Sequence, residues 1–188
     1  IGSYLVKLSA RKIGESDSAL AAEYLRIMGD FERIADHSVN ILESAEEMQQ
    51  KGIAFSAAAL QEYATMAGAV REVTALAYDS FVSGDVQAAR QVEPLEQVID
   101  DLKEEMRTRH IRRMQQGSCG IEAGFIWSDL LTNLERVSDH CSNIACCMIE
   151  GADHNLHRHE VLQSIRGSGE IFDREYSSYH QKYALTAE

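Results

Sequence analysis

Two stretches of the sequence place carboxylate, imidazole and amide side chains in the same order. The pattern Glu-Arg-x-x-Asp-His-x-x-Asn-Ile begins at Glu32 and again at Glu135, 103 residues later. Six of the eleven positions are identical when 31–41 is aligned with 134–144, so we interpret the stretches as copies of one internal repeat. The polar side chains that could bind a ligand are Glu32, Asp36, His37 and Asn40 in the first copy and Glu135, Asp139, His140 and Asn143 in the second.

The spacing within each copy is typical of one helix face. The glutamate, aspartate and asparagine follow each other at intervals of four residues, so their side chains lie along the same side of a helix. Two carboxylates one turn apart repel each other and weaken the helix unless a cation neutralises them or solvent screens them. In both copies they lie beside the apolar stripe of the helix rather than opposite it. A bound metal would remove this conflict.

A further acid pair precedes the second copy. Glu96 and Asp100 are also four residues apart. If the helices on either side of Ser118 form an antiparallel hairpin, residues equally far from Ser118 lie at the same level of the two helices. This places Asp100 beside Glu135. The same count puts Glu96 beside Asp139. Four carboxylates would then converge between two helices, and such an oxygen-rich set suits iron, manganese, magnesium or calcium.

The spacing alone also allows two other interpretations. The acids could form an exposed acidic rim, or they could pair internally with Arg33 or Arg136. The duplication of the motif favours the metal hypothesis. In the first copy the matching upstream acid pair would fall before residue 1, so we expect any first site to be incomplete.

Composition and helix punctuation predict an all-α fold. The 188 residues include one proline, and many glycines stand where periodic segments end. Apolar residues at steps of three and four predict helices over 18–51, 55–83, 86–116, 120–150 and 158–185, after the tail of a helix in 1–13. We therefore expect two tandem three-helix bundles, residues 1–84 and 85–188, with an N-terminally truncated first helix and no β-sheet.

Charge narrows the range of partners. Thirty acidic against eighteen basic residues give a net charge of −12 at pH 7, which repels phosphate backbones. Nucleic acid is therefore excluded as an expected partner. No window of 18 consecutive residues is apolar enough for a membrane span, so we expect none within this chain.

Histidine and cysteine do not form a recognisable metal motif. Three histidines crowd one connection between helices, where an exposed loop is the favoured interpretation over a metal site. The cysteines lack C-x-x-C spacing and are interpreted as small buried hydrophobes in a reducing compartment. These residues are His154, His157 and His159, and Cys119, Cys141, Cys146 and Cys147.

The doubled motif, together with the upstream Glu-x-x-x-Asp, resembles the PhoU family of phosphate-uptake regulators over nearly the whole chain. Residues 4–9, 17–18 and 172–185 are more similar to the PhoU-type domain that follows the membrane region of bacterial Na⁺/phosphate cotransporters. The resemblance implies two three-helix bundles and a multinuclear metal site, with iron expected first and manganese, magnesium, calcium, nickel and zinc as alternatives. Carried over by position, the metal ligands are Glu96, Asp100, Glu135 and Asp139 in the second repeat and Glu32 and Asp36 in the first. His37, Asn40, His140 and Asn143 are the accompanying motif residues.

The resemblance also implies a function. It points to a non-enzymatic regulatory domain that acts by protein contact on phosphate transport and is attached to a Na⁺/phosphate cotransporter. The expected partners are a transporter membrane domain or phosphate-signalling proteins, with a homodimer as a further assembly. The expected location is the cytoplasm, at the inner face of the membrane.

Two alternatives stay open. One is a free-standing PhoU regulator of an ABC-type phosphate transporter and its sensor kinase. The other is a carboxylate-bridged di-metal helical enzyme, whose sites use Glu-x-x-His ligand pairs. No glutamate in this sequence has a histidine three residues later, so we do not expect catalysis.

Overall fold

A computed structural model describes residues 1–11, 14–152, 158–167 and 169–186 of the chain. These residues form helices and no β-strand, which confirms the predicted all-α class. The helices are α1 (Gly2–Ser9), α2 (Glu15–Lys51), α3 (Ala57–Ser83), α4 (Val86–Ala89), α5 (Val92–Gln115), α6 (Ile121–Ala152), α7 (Arg158–Gly167) and α8 (Glu170–Lys182).

Local sequence signals set the ends of the first long helices. α2 ends at Gly52 and α3 at Gly84, with φ values of 63° and 69° that glycine adopts without steric cost. Ser56 caps α3, since its Oγ accepts the backbone N–H of Ala59 at 3.2 Å. Asp85 is the N-cap of α4, and its carboxylate accepts two backbone N–H groups.

Two predicted helices are each divided in the structure. The prediction of one helix over 86–116 is wrong because the chain forms α4 and α5, with a break at residues 90–91. In a continuous helix the ring of Pro94 would clash with the carbonyl of Arg90, four residues earlier, whereas proline is tolerated in the first turn of α5. The predicted helix 158–185 is also two helices, α7 and α8, and Gly169 precedes α8 with φ of 50°.

The structure tests the prediction for the cysteines but not the one for the three loop histidines. None of the four cysteines forms a disulfide, and Cys141, Cys146 and Cys147 are buried on α6, as small hydrophobes would be. His154 and His157 lie outside the described residues, as does the side chain of His159, so the exposed loop expected there stays a prediction.

The central helix of the fold is α6, which packs against α2, α3 and α5. Trp127, Cys141 and Ile144 lie on its buried faces and are almost fully excluded from solvent. α8 packs against α5. No described helix is both long enough and apolar enough to span a membrane. The proposed division of the chain into two repeats at residue 84 stays a prediction.

The two motif helices differ in how they are covered. Val39 and Leu42 on α2 are 53% and 59% exposed. The residues 103 positions later, Ser142 and Ala145 on α6, are buried. The same motif is therefore at the surface in its first copy and inside the helical packing in its second.

Candidate metal centre

Three carboxylates meet between α5 and α6. Glu96 and Asp100 lie one turn apart on α5, and Asp139 faces them from α6, so that one oxygen of each lies within 4.8 Å of the others. We call Glu96, Asp100 and Asp139 the carboxylate triad. The two helices form an antiparallel hairpin around residues 116–120, and its register brings together the residues that the count from Ser118 predicts.

The three carboxylates of the triad lie close enough to repel one another when they are ionised. Glu96 is only 8% exposed, and its Oε2 has no hydrogen-bond partner among the described residues. Burial, followed by the charges of Glu93, Asp100 and Asp139, raises the pKa of Glu96 to about 8. Burial and the charges of Glu135 and Asp139 raise the pKa of Asp100 to about 6. Burial and Glu135 also raise the pKa of Asp139.

A hard cation fits this arrangement. The Oδ1 atom of Asp100 also lacks a partner among the described residues, so two buried oxygens of the triad point to no donor. Oxygen-only ligand sets suit iron, manganese, magnesium or calcium better than zinc. Glu96, Asp100 and Asp139 would hold the ion, which would neutralise charges that otherwise repel each other at close range.

Glu135, the fourth predicted ligand, lies beside the triad rather than in it. Lys103 on α5 places its Nζ 3.0 Å from Glu135 Oε1, while the buried Glu135 Oε2 accepts no hydrogen bond in the described part of the chain and has only a long contact of 3.8 Å with Arg136 Nε. The charge of Glu135 still reaches the triad, because it contributes to the raised pKa of Asp100 and Asp139. Lys103, which the sequence argument did not single out, is thus a competing cation for this glutamate.

Arginines flank the triad at its rim. Arg136 Nη1 lies 3.0 Å from Asp139 Oδ2, so the internal pairing considered from the sequence occurs at this acid. Arg166 on α7 lies 2.7 Å from Glu93, which is 3% exposed and also accepts the Ser142 hydroxyl at 2.7 Å. A cavity of about 290 Å³ opens between these residues and the triad. The sequence offered no motif for Glu93 or Arg166.

The first copy of the motif does not form an equivalent group. Glu32 and Asp36 are exposed on α2. Asp36 has a long contact of 3.8 Å with Arg33, the other internal pair considered from the sequence. Within the described residues, the triad is the group of three acidic, histidine or cysteine side chains that meet closely enough to hold an ion.

The motif histidines and asparagines join α2 to α6. His37 Nδ1 and Asn40 Nδ2 lie 2.8 and 3.0 Å from Asn133 Oδ1 on α6. In the reverse direction, His140 Nδ1 and Asn143 Nδ2 lie 2.8 and 3.1 Å from Asp30 Oδ1 on α2. We call these contacts the α2–α6 seam.

The seam has an approximate two-fold symmetry that follows from the repeat. Asp30 and Asn133 are themselves 103 residues apart, so each copy supplies one acceptor and one histidine–asparagine pair. The rings of His37 and His140 stack at the centre, with 5.6 Å between centroids. These histidines and asparagines therefore hold the two repeats together. Extending the aligned motif upstream by two residues would have found their acceptors in the sequence.

The geometry defines an all-helical domain in which three carboxylates converge between two helices. The sequence profile of the PhoU domain matches residues 1–45 and 63–148, which is more than half of the chain. The chain therefore belongs to the PhoU family.

Curated relatives carry the same family name. The chain is 28% identical over 149 residues to "Phosphate-specific transport system accessory protein PhoU homolog 1" of Thermotoga maritima, covering 79% of this chain and 63% of that protein. It is 26% identical over 132 residues to a PhoU homolog of Deinococcus radiodurans with the same accessory-protein name, covering 69% of this chain and 59% of that protein. It thus spans about 60% of their length. No solved structure matches the chain significantly.

Proposed function

We propose that this chain is a non-enzymatic regulatory domain of phosphate transport that binds a metal ion at the carboxylate triad. Family membership and the names of the relatives, which are accessory proteins of phosphate-specific transport systems, support the transport role. The observation that carries the metal part is the convergence of buried Glu96 with half-buried Asp100 and Asp139, in which one oxygen each of Glu96 and Asp100 accepts no hydrogen bond from the described residues.

The proposed mode of action is protein contact. The triad joins α5 to α6, and Arg166 extends the contacts to α7 through Glu93. Metal at this place would fix the relative positions of these helices. A regulator of this kind shifts a transporter between conformations only if it binds them with different affinity, so metal occupancy would act by changing that difference.

Two arrangements of the whole protein are compatible with this role. The similarity of the chain's ends to PhoU-type domains of Na⁺/phosphate cotransporters favours attachment to such a transporter on the cytoplasmic side. The curated relatives are named accessory proteins of a phosphate-specific transport system, which is compatible with the alternative of a free-standing regulator of an ABC-type transporter. Sequencing the complete reading frame and looking for upstream membrane spans distinguishes the two.

The metal site is tested with a matched pair of variants. Asp139→Asn removes one triad ligand, whereas Asp36→Asn makes the same change at the equivalent, exposed position of the first copy. Untagged proteins are incubated with Fe²⁺ or Mn²⁺, desalted and subjected to elemental analysis. We expect bound metal in the wild type and in Asp36→Asn, and its loss in Asp139→Asn. Equal amounts in all three proteins, or none in the wild type, would contradict the site.

The transport role is tested in the native host. Deletion of the coding region for this domain should change phosphate uptake or the phosphate-starvation response, measured with radiolabelled phosphate under high and low supply. If metal occupancy matters, Asp139→Asn reproduces part of that change and Asp36→Asn does not. Uptake that is unaffected by the deletion would contradict a role in phosphate transport, whatever the metal analysis shows.

A further inference from the structure

A second cavity lies on the α5–α6 hairpin, beyond the triad toward the hairpin turn. Its volume is about 370 Å³, within the range of roughly 300–1,000 Å³ that is typical of small-molecule sites. Arg107, on its wall, follows Asp100 by seven residues, or about 10 Å along α5 at 1.5 Å per residue. No residue of the carboxylate triad lines this cavity, and Lys103 lies between the two.

Two deeply buried nitrogen atoms belong to residues that line this cavity. Trp127 is 1% exposed and His110 is 7% exposed, and both side chains contribute to the wall. Neither Trp127 Nε1 nor His110 Nε2 has a hydrogen-bond partner among the described residues. The indole N–H can only donate, so it calls for an acceptor that the described side chains do not provide. Buried polar groups without partners are uncommon in folded proteins and point to a missing ligand or water.

The cavity also carries positive charge in a chain with a net charge of −12. Lys103 and Arg107 lie one helical turn apart on its wall. The Arg107 side chain is 67% exposed and has only a long 3.8 Å contact with Glu104, which is itself 65% exposed. Lys103 stands at the border with the triad, because its Nζ contacts Glu135. Arg107 is thus the cation that an incoming anion would find most available.

The remaining wall combines the exposed carboxylate of Glu104 with hydroxyls and apolar surface. Ser128 and Thr132 lie on α6, one turn apart, and Ile111 and Leu131 supply the apolar part. Ile111 is 47% exposed, so it lies at the opening together with Arg107. A ligand suited to this wall has several hydrogen-bond acceptors and negative charge at one end, with room for an apolar body at the other.

We propose that this cavity binds a phosphate group, free or as the ester of a small molecule, through Arg107, Lys103 and the Trp127 Nε1–H. A phosphate oxygen would give the indole N–H its acceptor, and the two cations would neutralise the dianion. Guanidinium and ammonium groups are the usual protein partners of phosphate. The site does not depend on the proposed metal centre.

The test uses the fact that Trp127 is the only tryptophan of the chain. Its indole therefore gives a single ¹H–¹⁵N resonance, which reports directly on the proposed contact. Chelator-treated protein is titrated with inorganic phosphate, with phenyl phosphate as an ester that has an apolar body, and with sodium chloride at matched ionic strength. We expect a saturable shift of the indole resonance with one or both phosphates and none with chloride.

The two phosphates identify the source of the ligand. Tighter binding of phenyl phosphate would assign the site to esters, and equal or weaker binding to the free ion. Arg107→Gln should weaken binding about tenfold, as expected for loss of one charge-assisted contact. Arg174→Gln, the same change at a 74% exposed position on α8, should leave it unchanged.

Two results would overturn the proposal. One is the absence of a saturable indole shift with either phosphate up to about 10 mM, a concentration well above a weak affinity of 1 mM. The other is equal affinity in the wild type and Arg107→Gln. Because metal is removed beforehand, neither result bears on the carboxylate triad.

Discussion

Replacing Glu96 by glutamine should remove the contribution of this carboxyl to the pH dependence of stability in the metal-free protein. In the folded chain the pKa of Glu96 rises from its ordinary value of 4.5 to about 8. A carboxyl whose pKa is raised by folding favours the folded state fully below its unfolded pKa, and this contribution is lost as the pH rises through the folded pKa. Glutamine has nearly the same shape and does not ionise.

The magnitude follows from the size of the pKa change. One pKa unit corresponds to about 1.4 kcal/mol, so full ionisation of Glu96 costs the folded state roughly 5 kcal/mol. Between pH 5 and pH 9 the free energy of unfolding of Glu96→Gln, relative to the wild type, should therefore increase by about 4 kcal/mol. The increase should be centred between the two pKa values, from about pH 5 to pH 8.

Urea denaturation of chelator-treated protein, followed by far-UV circular dichroism at several pH values, measures this difference. At each pH the free energy of unfolding of the wild type is subtracted from that of the variant. Contributions from groups that titrate alike in both proteins then cancel. The control is Glu32→Gln, which removes the exposed glutamate of the first motif and should show no pH-dependent difference. A change below about 1 kcal/mol between pH 5 and 9 for Glu96→Gln, comparable to a surface group, would refute the reasoning.

Binding of a metal ion should offset the destabilisation that ionised Glu96 causes in the wild type. At pH 8, Mn²⁺ at about one hundred times its dissociation constant should stabilise the wild type by about 2.7 kcal/mol. Glu96→Gln lacks one ligand, so it should gain much less under the same conditions. Equal stabilisation of both proteins would show that the ion binds elsewhere.

Three further predictions concern contacts elsewhere in the fold. Arg113→Met removes the bidentate partner of the buried Glu62 and leaves it only Arg109, whose Nη1 lies 3.6 Å from Glu62 Oε1, so the free energy of unfolding, measured with urea, should fall by about 2 kcal/mol. A loss below about 1 kcal/mol would contradict the burial of this pair. His37→Phe removes a hydrogen bond of the α2–α6 seam and should cost about 1 kcal/mol in the same assay; an unchanged stability would argue against the seam. Burial raises the pKa of Cys141 to about 12, whereas Cys119 is partly exposed and the other three cysteines are buried. A thiol reagent at pH 8 should therefore modify one of the four cysteines quickly in the native protein and all four in urea.

The triad shows how far spacing can predict a site. The four-residue interval of Glu96 and Asp100 guarantees that they share a helix face, and counting from Ser118 brings Asp139 to the same level. The count from Ser118 cannot show whether a neighbouring cation forms an ion pair with one of these acids. Lys103 does so at Glu135, because its flexible side chain reaches across the hairpin, and this depends on side-chain packing rather than on sequence distance.

The histidines and asparagines of the motif illustrate the opposite case. Their spacing puts them near the acids, and a role close to the metal was the natural expectation for His140 and Asn143. In the structure they turn to the α2–α6 seam, since α6 packs antiparallel to α2 and brings Asp30 opposite to them. The partner of a polar residue across two helices depends on which helices become neighbours.

The sequence by itself determined the all-α class, most helix ends and the internal repeat, since periodicity, glycines and capping residues act locally along the chain. It also determined which acids could share a face. Tertiary structure decided that one copy of the acidic motif, on α6, lies against α5 and gathers Glu96, Asp100 and Asp139, while Glu32 and Asp36 on α2 face solvent. Nearly identical motifs have different environments here because burial and convergence depend on neighbouring helices, which the motif itself does not encode.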